Sequence, residues 1–136
     1  MTPLQSDRHQ ELTQLVACKP ADCWPAILDL WTSTKKIYTL PAGPNGYIDP
    51  AYELVELICE RIDDFFPMLN QEVTHSNPNV CAYCLTCLER VDRLQLTAEQ
   101  LQELRQRDEV LDVVSGCFGS TPTLARFVEL SGQSYL

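Results

Sequence analysis

Apolar residues recur along most of the chain with the period of an α-helix. The clearest stripe runs from Leu54 to Leu69, where large apolar side chains return every three or four residues and acidic side chains lie between them. This pattern predicts an amphipathic helix with one buried face. Because Pro67 lacks a backbone N–H, we expect that helix to kink or end near Phe66.

Capping residues and prolines divide the chain into about six helices. A polar capping side chain followed by proline marks three helix starts, at Asp49-Pro50, Asn77-Pro78 and Thr121-Pro122. Short connections within adjacent pairs predict antiparallel helical hairpins in one all-α domain, residues 1–136, closed as a bundle or stacked as a short α-α superhelix. The expected helices cover, approximately, residues 6–18, 21–35, 49–66, 76–94, 97–115 and 122–132.

One segment, residues 37–47, does not follow the helical period. Its Gly43-Pro44-Asn45-Gly46 run has the chemistry of a turn, across which residues 37–40 and 47–48 are placed to pair as a small hairpin. An ordered loop of this length is a candidate functional surface that displays Tyr38 and Tyr47. A plain connector is the alternative, and it is the favoured one.

Composition and charge limit the class of protein. A chain of 136 residues with 45% hydrophobic residues is large enough to bury a core. The net charge of −9 argues against a nucleic-acid partner and against docking on anionic membranes. We find no apolar run of membrane-spanning length and no signal peptide in the sequence. Seven cysteines, an odd number, therefore predict reduced thiols and a cytoplasmic location.

The acidity is concentrated around the third predicted helix. Residues 49–72 contain seven acidic residues and one basic residue. Because an acidic surface attracts basic partners, we expect this face to bind another protein with a basic surface. The acidic residues opposite the apolar stripe are Glu53, Glu56, Glu60, Asp63 and Asp64.

The fourth predicted helix resembles a known repeat. Its residues 77–91, NPNVCAYCLTCLERV, are similar to the second helix of a HEAT-type repeat, with a proline start followed by valine, small and leucine positions. The family often has arginine beside the position of Val80, where this chain has Cys81. The resemblance implies stacked helical hairpins and a protein-binding surface.

The same helix carries an unusual cysteine cluster. Cys81, Cys84 and Cys87 form C-x-x-C-x-x-C, a spacing at which thiolates bind zinc or an iron–sulfur cluster. The spacing resembles the first three ligands of a bacterial-type ferredoxin, but Val91 occupies the position of the fourth. At about 100° per residue, Cys84 and Cys87 fall in the middle of the apolar face, which favours core packing.

Further metal ligands would have to come from elsewhere in the chain. The available donors are His75, Cys59 and Cys117. The Glu72-x-x-His75 spacing also occurs in di-iron bundles, but this chain lacks the second such motif that those sites need.

The sequence favours binding over catalysis. We find no nucleophile elbow, phosphate-binding loop, H-E-x-x-H or dinucleotide fingerprint. The prediction is a non-catalytic protein–protein interaction module with no cofactor, such as an adaptor, regulator, chaperone or immunity-type protein. A zinc or iron–sulfur protein is the alternative. A third hypothesis is a small cofactor-binding or catalytic domain around Tyr38, Tyr47, Trp24 and Trp31.

Overall fold

The structure, a computed structural model, describes residues 3–40 and 48–133, with the backbone alone for residues 3–6, 132 and 133. Within these ranges the chain forms seven helices and three short strands, so it is mostly α-helical, as predicted. The helices are α1 (Pro3–Val16), α2 (Pro20–Ser33), α3 (Pro50–Glu60), α4 (Ile62–Glu72), α5 (Pro78–Arg90), α6 (Ala98–Arg105) and α7 (Leu124–Gln133). The strands are β1 (Ile37–Tyr38), β2 (Val113–Ser115) and β3 (Phe118–Ser120).

Helix α5 lies at the centre of the core. Eight of its thirteen residues are buried, and α2, α3, α4, α7 and β1 all pack against it. Helix α1 packs on α2 and α3, whereas α6 packs on α7. Because α5 is buried on most sides, each surrounding helix needs only one apolar face, which is what the helical periodicity of the sequence provides.

Two aromatic side chains join α2 to α5. The rings of Trp31 and Tyr83 stack with their centroids 5.3 Å apart, and both side chains are fully buried. The Tyr83 hydroxyl donates to the Lys36 carbonyl (3.1 Å) and accepts a hydrogen bond from the Tyr38 N–H (3.3 Å). Tyr83 therefore fixes both the packing of α2 and the start of β1.

The three strands form one small sheet in the order β1-β2-β3. Strand β1 runs parallel to β2, with Ile37 opposite Val113, and β2 and β3 form an antiparallel hairpin. Gly116 has a φ of 61° in the two-residue turn of this hairpin, which fits the glycine of a type II′ turn. The described partner of β1 is thus distant in sequence. Ile48 forms no strand, and Tyr47, the other half of the predicted pairing, lies outside the described residues.

The fifth predicted helix is shorter than expected. The prediction that it reaches Ser115 was wrong, because α6 ends at Arg105. Arg107 turns towards the α4–α5 connection and donates to the carbonyls of His75 (3.0 Å) and Ser76 (2.9 Å). This contact holds the backbone out of the helix.

Beyond Arg107 the backbone runs beside the start of α7. The Leu111 N–H donates to the Pro122 carbonyl and the Leu124 N–H donates to the Glu109 carbonyl, both at 2.8 Å. These long-range hydrogen bonds satisfy backbone groups that a longer helix would have paired locally. Non-local pairing therefore overrides the helical pattern here.

The long third predicted helix is divided at Arg61 rather than near Phe66. Arg61 has φ −120° and ψ 39°, outside the helical region, and it separates α3 from α4. Its guanidinium donates to the carbonyls of Val16 and Cys18 at the end of α1. The last carbonyls of a helix have no partners within the helix, so these hydrogen bonds from Arg61 satisfy the end of α1. The same residue separates α3 from α4. Pro67 lies inside α4.

Helix α5 begins as predicted but ends before Leu94. The side chain of Asn77 caps its start, and the helix ends at Arg90. Asp92 has a φ of 60°, and the Arg93 N–H donates back to the Leu88 carbonyl (2.8 Å). This is the hydrogen-bond pattern of a Schellman motif. Glycine is the usual residue at the left-handed position of this motif. Because this chain has Asp92 there, the sequence gave no signal for the end of α5.

Two predicted helix starts are displaced: α1 begins at Pro3 rather than after Ser6, and α7 begins at Leu124 rather than at Pro122, with the Thr123 side chain accepting the Arg126 N–H (3.2 Å). Two others are observed. The Asp49 side chain accepts a hydrogen bond from the Ala51 N–H (2.9 Å) at the start of α3. Thr97 and Gln100 form the reciprocal capping box of α6. In the described part of the chain, no helix has the length and apolar character needed to cross a bilayer. The resemblance to a HEAT-type repeat stays a prediction.

Replacing Arg107 should destabilise the fold. Arg107→Ala removes the hydrogen bonds to two backbone carbonyls and the ion pair with Glu109 from a side chain that is only 16% exposed. We expect a loss of about 2–4 kcal/mol in the free energy of unfolding, measured by urea denaturation. The matched control is Arg126→Ala, because Arg126 is 55% exposed and also pairs with a glutamate, Glu129. We expect that variant to lose less than about 0.5 kcal/mol. Equal losses in the two variants would contradict the role of Arg107.

Candidate functional site: a groove between the sheet and helix α7

A groove of about 570 Å³ lies between the sheet, the last turn of α5 and α7. Its walls carry both apolar and hydroxyl side chains, with one acidic and one basic residue from α5. The described lining residues are Thr39, Leu40, Thr86, Glu89, Arg90, Val113, Ser115, Ser120, Pro122, Phe127, Leu130 and Ser131.

Exposed apolar side chains border this groove. Among the described residues, four large hydrophobic side chains are exposed: Leu40 (52%), Val110 (66%), Phe118 (80%) and Leu130 (47%). Leu40 and Leu130 line the groove directly. Phe118 is the cross-strand partner of Ser115, and paired residues project from the same face of a sheet, so Phe118 lies on the groove side. Two of the four therefore line the groove, and Phe118 lies beside it on the same face of the sheet as Ser115.

Some hydroxyl groups of the groove already donate their hydrogen within the protein. Thr86 donates to the Ala82 carbonyl (2.7 Å), and the hydroxyls of Thr39 and Ser115 hydrogen-bond each other. Since a hydroxyl has one hydrogen but two lone pairs, such oxygens keep the capacity to accept a further hydrogen bond. The groove therefore offers acceptors to a ligand that brings N–H donors.

The basic side chain of the groove is held by α3. The Arg90 guanidinium donates to the Tyr52 hydroxyl, lies 5.7 Å from the centre of the Tyr52 ring and pairs with Glu56 at 3.8 Å. These contacts connect the groove to the acidic side of α3. They also reduce the positive charge that Arg90 presents to a ligand.

The predicted acidic face does not include Glu53. The Glu53 side chain is only 8% exposed and contacts two side chains of α1, His9 Nδ1 (2.8 Å) and Arg8 Nε (3.4 Å). Helix α1 covers this carboxylate, so it joins α1 to α3 instead of facing a partner. Helical periodicity places Glu53 opposite the apolar stripe but cannot show that another helix packs on that side.

The other four acidic residues lie on α3 and α4 at partly or fully exposed positions. Glu60 is exposed and makes no ion pair within the described part of the chain. The remaining three have arginine partners, which lowers the net charge of this surface. The ion pairs are Glu56–Arg90 (3.8 Å), Asp63–Arg93 (2.8 Å) and Asp64–Arg61 (3.2 Å).

Helix α5 buries all three thiols of the C-x-x-C-x-x-C motif. Cys81, Cys84 and Cys87 have no exposed surface. Burial raises the pKa of Cys81 to about 11 and raises the pKa values of Cys84 and Cys87 well above the usual thiol value. These thiols therefore stay protonated at neutral pH and pack as small apolar groups.

The candidate metal ligands have different neighbours. The Cys81 thiol donates to the His75 carbonyl (2.9 Å), whereas Cys87 lies beside Cys59 of α3. The Nδ1 of His75 accepts the Asn77 N–H (2.9 Å). Across residues 3–40 and 48–133, no three Cys, His, Asp or Glu side chains form a group suited to a metal ion. The zinc or iron–sulfur alternative stays a hypothesis.

The aromatic residues of the predicted loop surface are only partly described. Tyr38 is half-buried in β1, and Tyr47 lies outside the described residues. Trp24 and Trp31 are 5% and 0% exposed and meet edge to face with their ring centroids 5.8 Å apart. The two tryptophans thus belong to the hydrophobic core.

No protein-family model, curated protein or solved structure matches this chain. The functional hypothesis therefore depends on the geometry of the chain itself. Sequence reasoning missed the groove because residues 113–115 were assigned to a helix. The available signal was Gly116-Cys117 between two runs of strand-forming residues, a pattern typical of a two-residue hairpin turn.

The thiols should differ sharply in reactivity. With N-ethylmaleimide at pH 7, we expect the exposed Cys18 and Cys117 to be alkylated first, and Cys84 only on unfolding, because alkylation requires an accessible thiolate. Peptide mapping by mass spectrometry after timed quenching measures each rate. The same reaction in denaturant provides the control for intrinsic reactivity. Labelling of Cys84 in the native protein as fast as Cys117 would contradict its burial.

Elemental analysis separates core packing from metal binding at the cysteine motif. Since the three thiols are buried and protonated, we expect substoichiometric zinc and iron in protein purified without tags or chelators, unchanged in Cys84→Ser. Stoichiometric metal that the Cys84→Ser variant loses would instead support the alternative. Circular dichroism of the variant provides the control for folding.

Proposed function

We propose that this chain is a non-catalytic protein-binding module, an adaptor or regulator, that takes a segment of its partner into the groove beside α7. The proposal is carried by two exposed apolar side chains in the groove, Leu40 and Leu130, and by the exposed Phe118 beside it on the same face of the sheet. Exposed apolar side chains gathered in one place are typical of interaction sites, whereas scattered ones are ordinary.

The chemistry of the groove favours a polypeptide ligand. Its volume of about 570 Å³ is in the range that holds a few side chains, and its apolar walls suit an aliphatic or aromatic anchor. The acceptor oxygens of Thr39 and Thr86 suit the N–H groups that a polypeptide carries at every residue except proline.

The net charge of −9 favours a partner with basic residues. Glu56, Glu60, Asp63 and Asp64 are proposed to steer such a partner, and the Glu56–Arg90 pair places this acidic surface next to the groove. Electrostatic steering acts mainly on the association rate, whereas the apolar contacts in the groove hold the complex together. The seven cysteines, all without disulfide bonds, fit the reducing conditions of the cytoplasm.

A peptide-selection experiment tests the proposal. The immobilised chain is used to select binders from a displayed library of random peptides, and the affinities of the selected peptides are measured by calorimetry. We expect Phe118→Ser and Leu130→Ser each to weaken binding about tenfold, because the loss of one buried apolar contact costs about 1.5 kcal/mol.

Val110→Ser is the matched control, because Val110 is also a large exposed hydrophobic residue but lies outside the three strands of the sheet that borders the groove. We expect it to leave the affinity unchanged. Raising the salt concentration should slow association with basic peptides. Failure to select any peptide, or equal losses at Val110 and Phe118, would refute the groove as the binding site.

A further inference from the structure

Two cysteines from different helices lie side by side. Cys59 is in the last turn of α3 and Cys87 is in the last turn of α5. The Cys59 thiol donates to the Cys87 carbonyl at 3.7 Å, so the Cys59 sulfur lies against residue 87 of α5. Since α3 packs against α5, this contact belongs to the core interface rather than to a loose surface.

The two thiols differ in exposure and in charge. Cys59 is partly exposed, whereas Cys87 is fully buried. Interaction with the Cys87 side chain and with the nearby Arg90 lowers the pKa of Cys59, although burial acts in the opposite direction. Burial raises the pKa of Cys87 well above its usual value. One thiol of the pair is therefore accessible to a reagent, and the other is protected from it.

We propose that Cys59 is a site of oxidative modification, at which a hydroperoxide converts the Cys59 and Cys87 thiols into a disulfide between α3 and α5. The contact of the Cys59 thiol with Cys87, at the interface where α3 packs on α5, carries this inference, which is independent of the proposed binding function. The sulfurs must approach to about 2.05 Å in the disulfide, so a side-chain rotation accompanies the reaction.

The reaction has two balanced steps. The Cys59 thiolate attacks one oxygen of the hydroperoxide, the O–O bond breaks, and the leaving oxygen takes up a proton, giving a sulfenic acid on Cys59. The Cys87 sulfur then attacks the Cys59 sulfur, its proton passes to the departing hydroxyl, and water leaves. With hydrogen peroxide, two thiols supply two electrons and two protons, and one peroxide becomes two waters.

The other cysteines provide internal comparisons. Cys84 lies on the same helix as Cys87 and is equally buried. Cys18 and Cys117 are exposed and would form disulfides between molecules, so both are replaced by serine in the protein used for the test.

Hydrogen peroxide is added to this doubly substituted protein, the remaining thiols are blocked with N-ethylmaleimide in denaturant, and the digest is mapped by mass spectrometry. We expect the intact mass, measured before the thiols are blocked, to fall by two hydrogen atoms, and one linked peptide pair to contain residues 59 and 87. Reduction with dithiothreitol should reverse both changes. A native protein in which Cys59 stays unlinked, or pairs with Cys81 or Cys84, would overturn the proposal.

Two variants complete the test. Cys87→Ala should abolish the linked peptide and leave a sulfenic acid on Cys59 that dimedone traps. Cys84→Ala, the matched control, should form the disulfide in full yield. A linked peptide that persists in Cys87→Ala would overturn the assignment. If Cys87→Ala does not fold, the peptide map of the doubly substituted protein decides the question alone.

Discussion

The burial of α5 is the constraint on which the rest of the structure depends. A helix buried on most sides can stand at the centre of a small protein only if several partners each cover part of its surface. Tyr83 connects α5 to two of these partners. Its ring stacks on Trp31 of α2, and its hydroxyl hydrogen-bonds the Lys36 carbonyl and the Tyr38 N–H at the start of β1. The position of the small sheet therefore follows from the central helix.

The groove follows from the same arrangement. Strand β1, fixed by Tyr83, pairs in parallel with β2, and the sheet so formed faces the ends of α5 and α7 across an open space. The β2–β3 hairpin carries Phe118 on the groove side without burying it. Exposing a large apolar side chain to water is unfavourable, and exposed apolar groups that lie together are typical of interaction sites. We therefore propose the groove as a binding surface.

The cysteines show that the spacing of residues in the sequence does not predict their chemical environment in the fold. Cys81, Cys84 and Cys87 have the spacing of metal ligands, but the helix directs them into the core, where burial keeps them protonated. Cys59 has no neighbouring cysteine in sequence, and packing of α3 on α5 brings it to Cys87. The thiol pair that we propose for oxidation thus joins one cysteine of the motif, Cys87, to a cysteine outside it.

The sequence by itself determined the helical class and most helix starts, because capping involves residues only two or three positions apart: Asp49, Asn77 and Thr97 each bond to the backbone just after them. Tertiary structure alone decided where α6 ends, which strand pairs with β1 and that Glu53 is covered. Those outcomes depend on contacts between residues tens of positions apart, such as Arg107 with the α4–α5 connection and α1 with Glu53. Local propensity does not predict contacts between distant residues. The groove and the Cys59–Cys87 pair therefore could be found only in the folded structure.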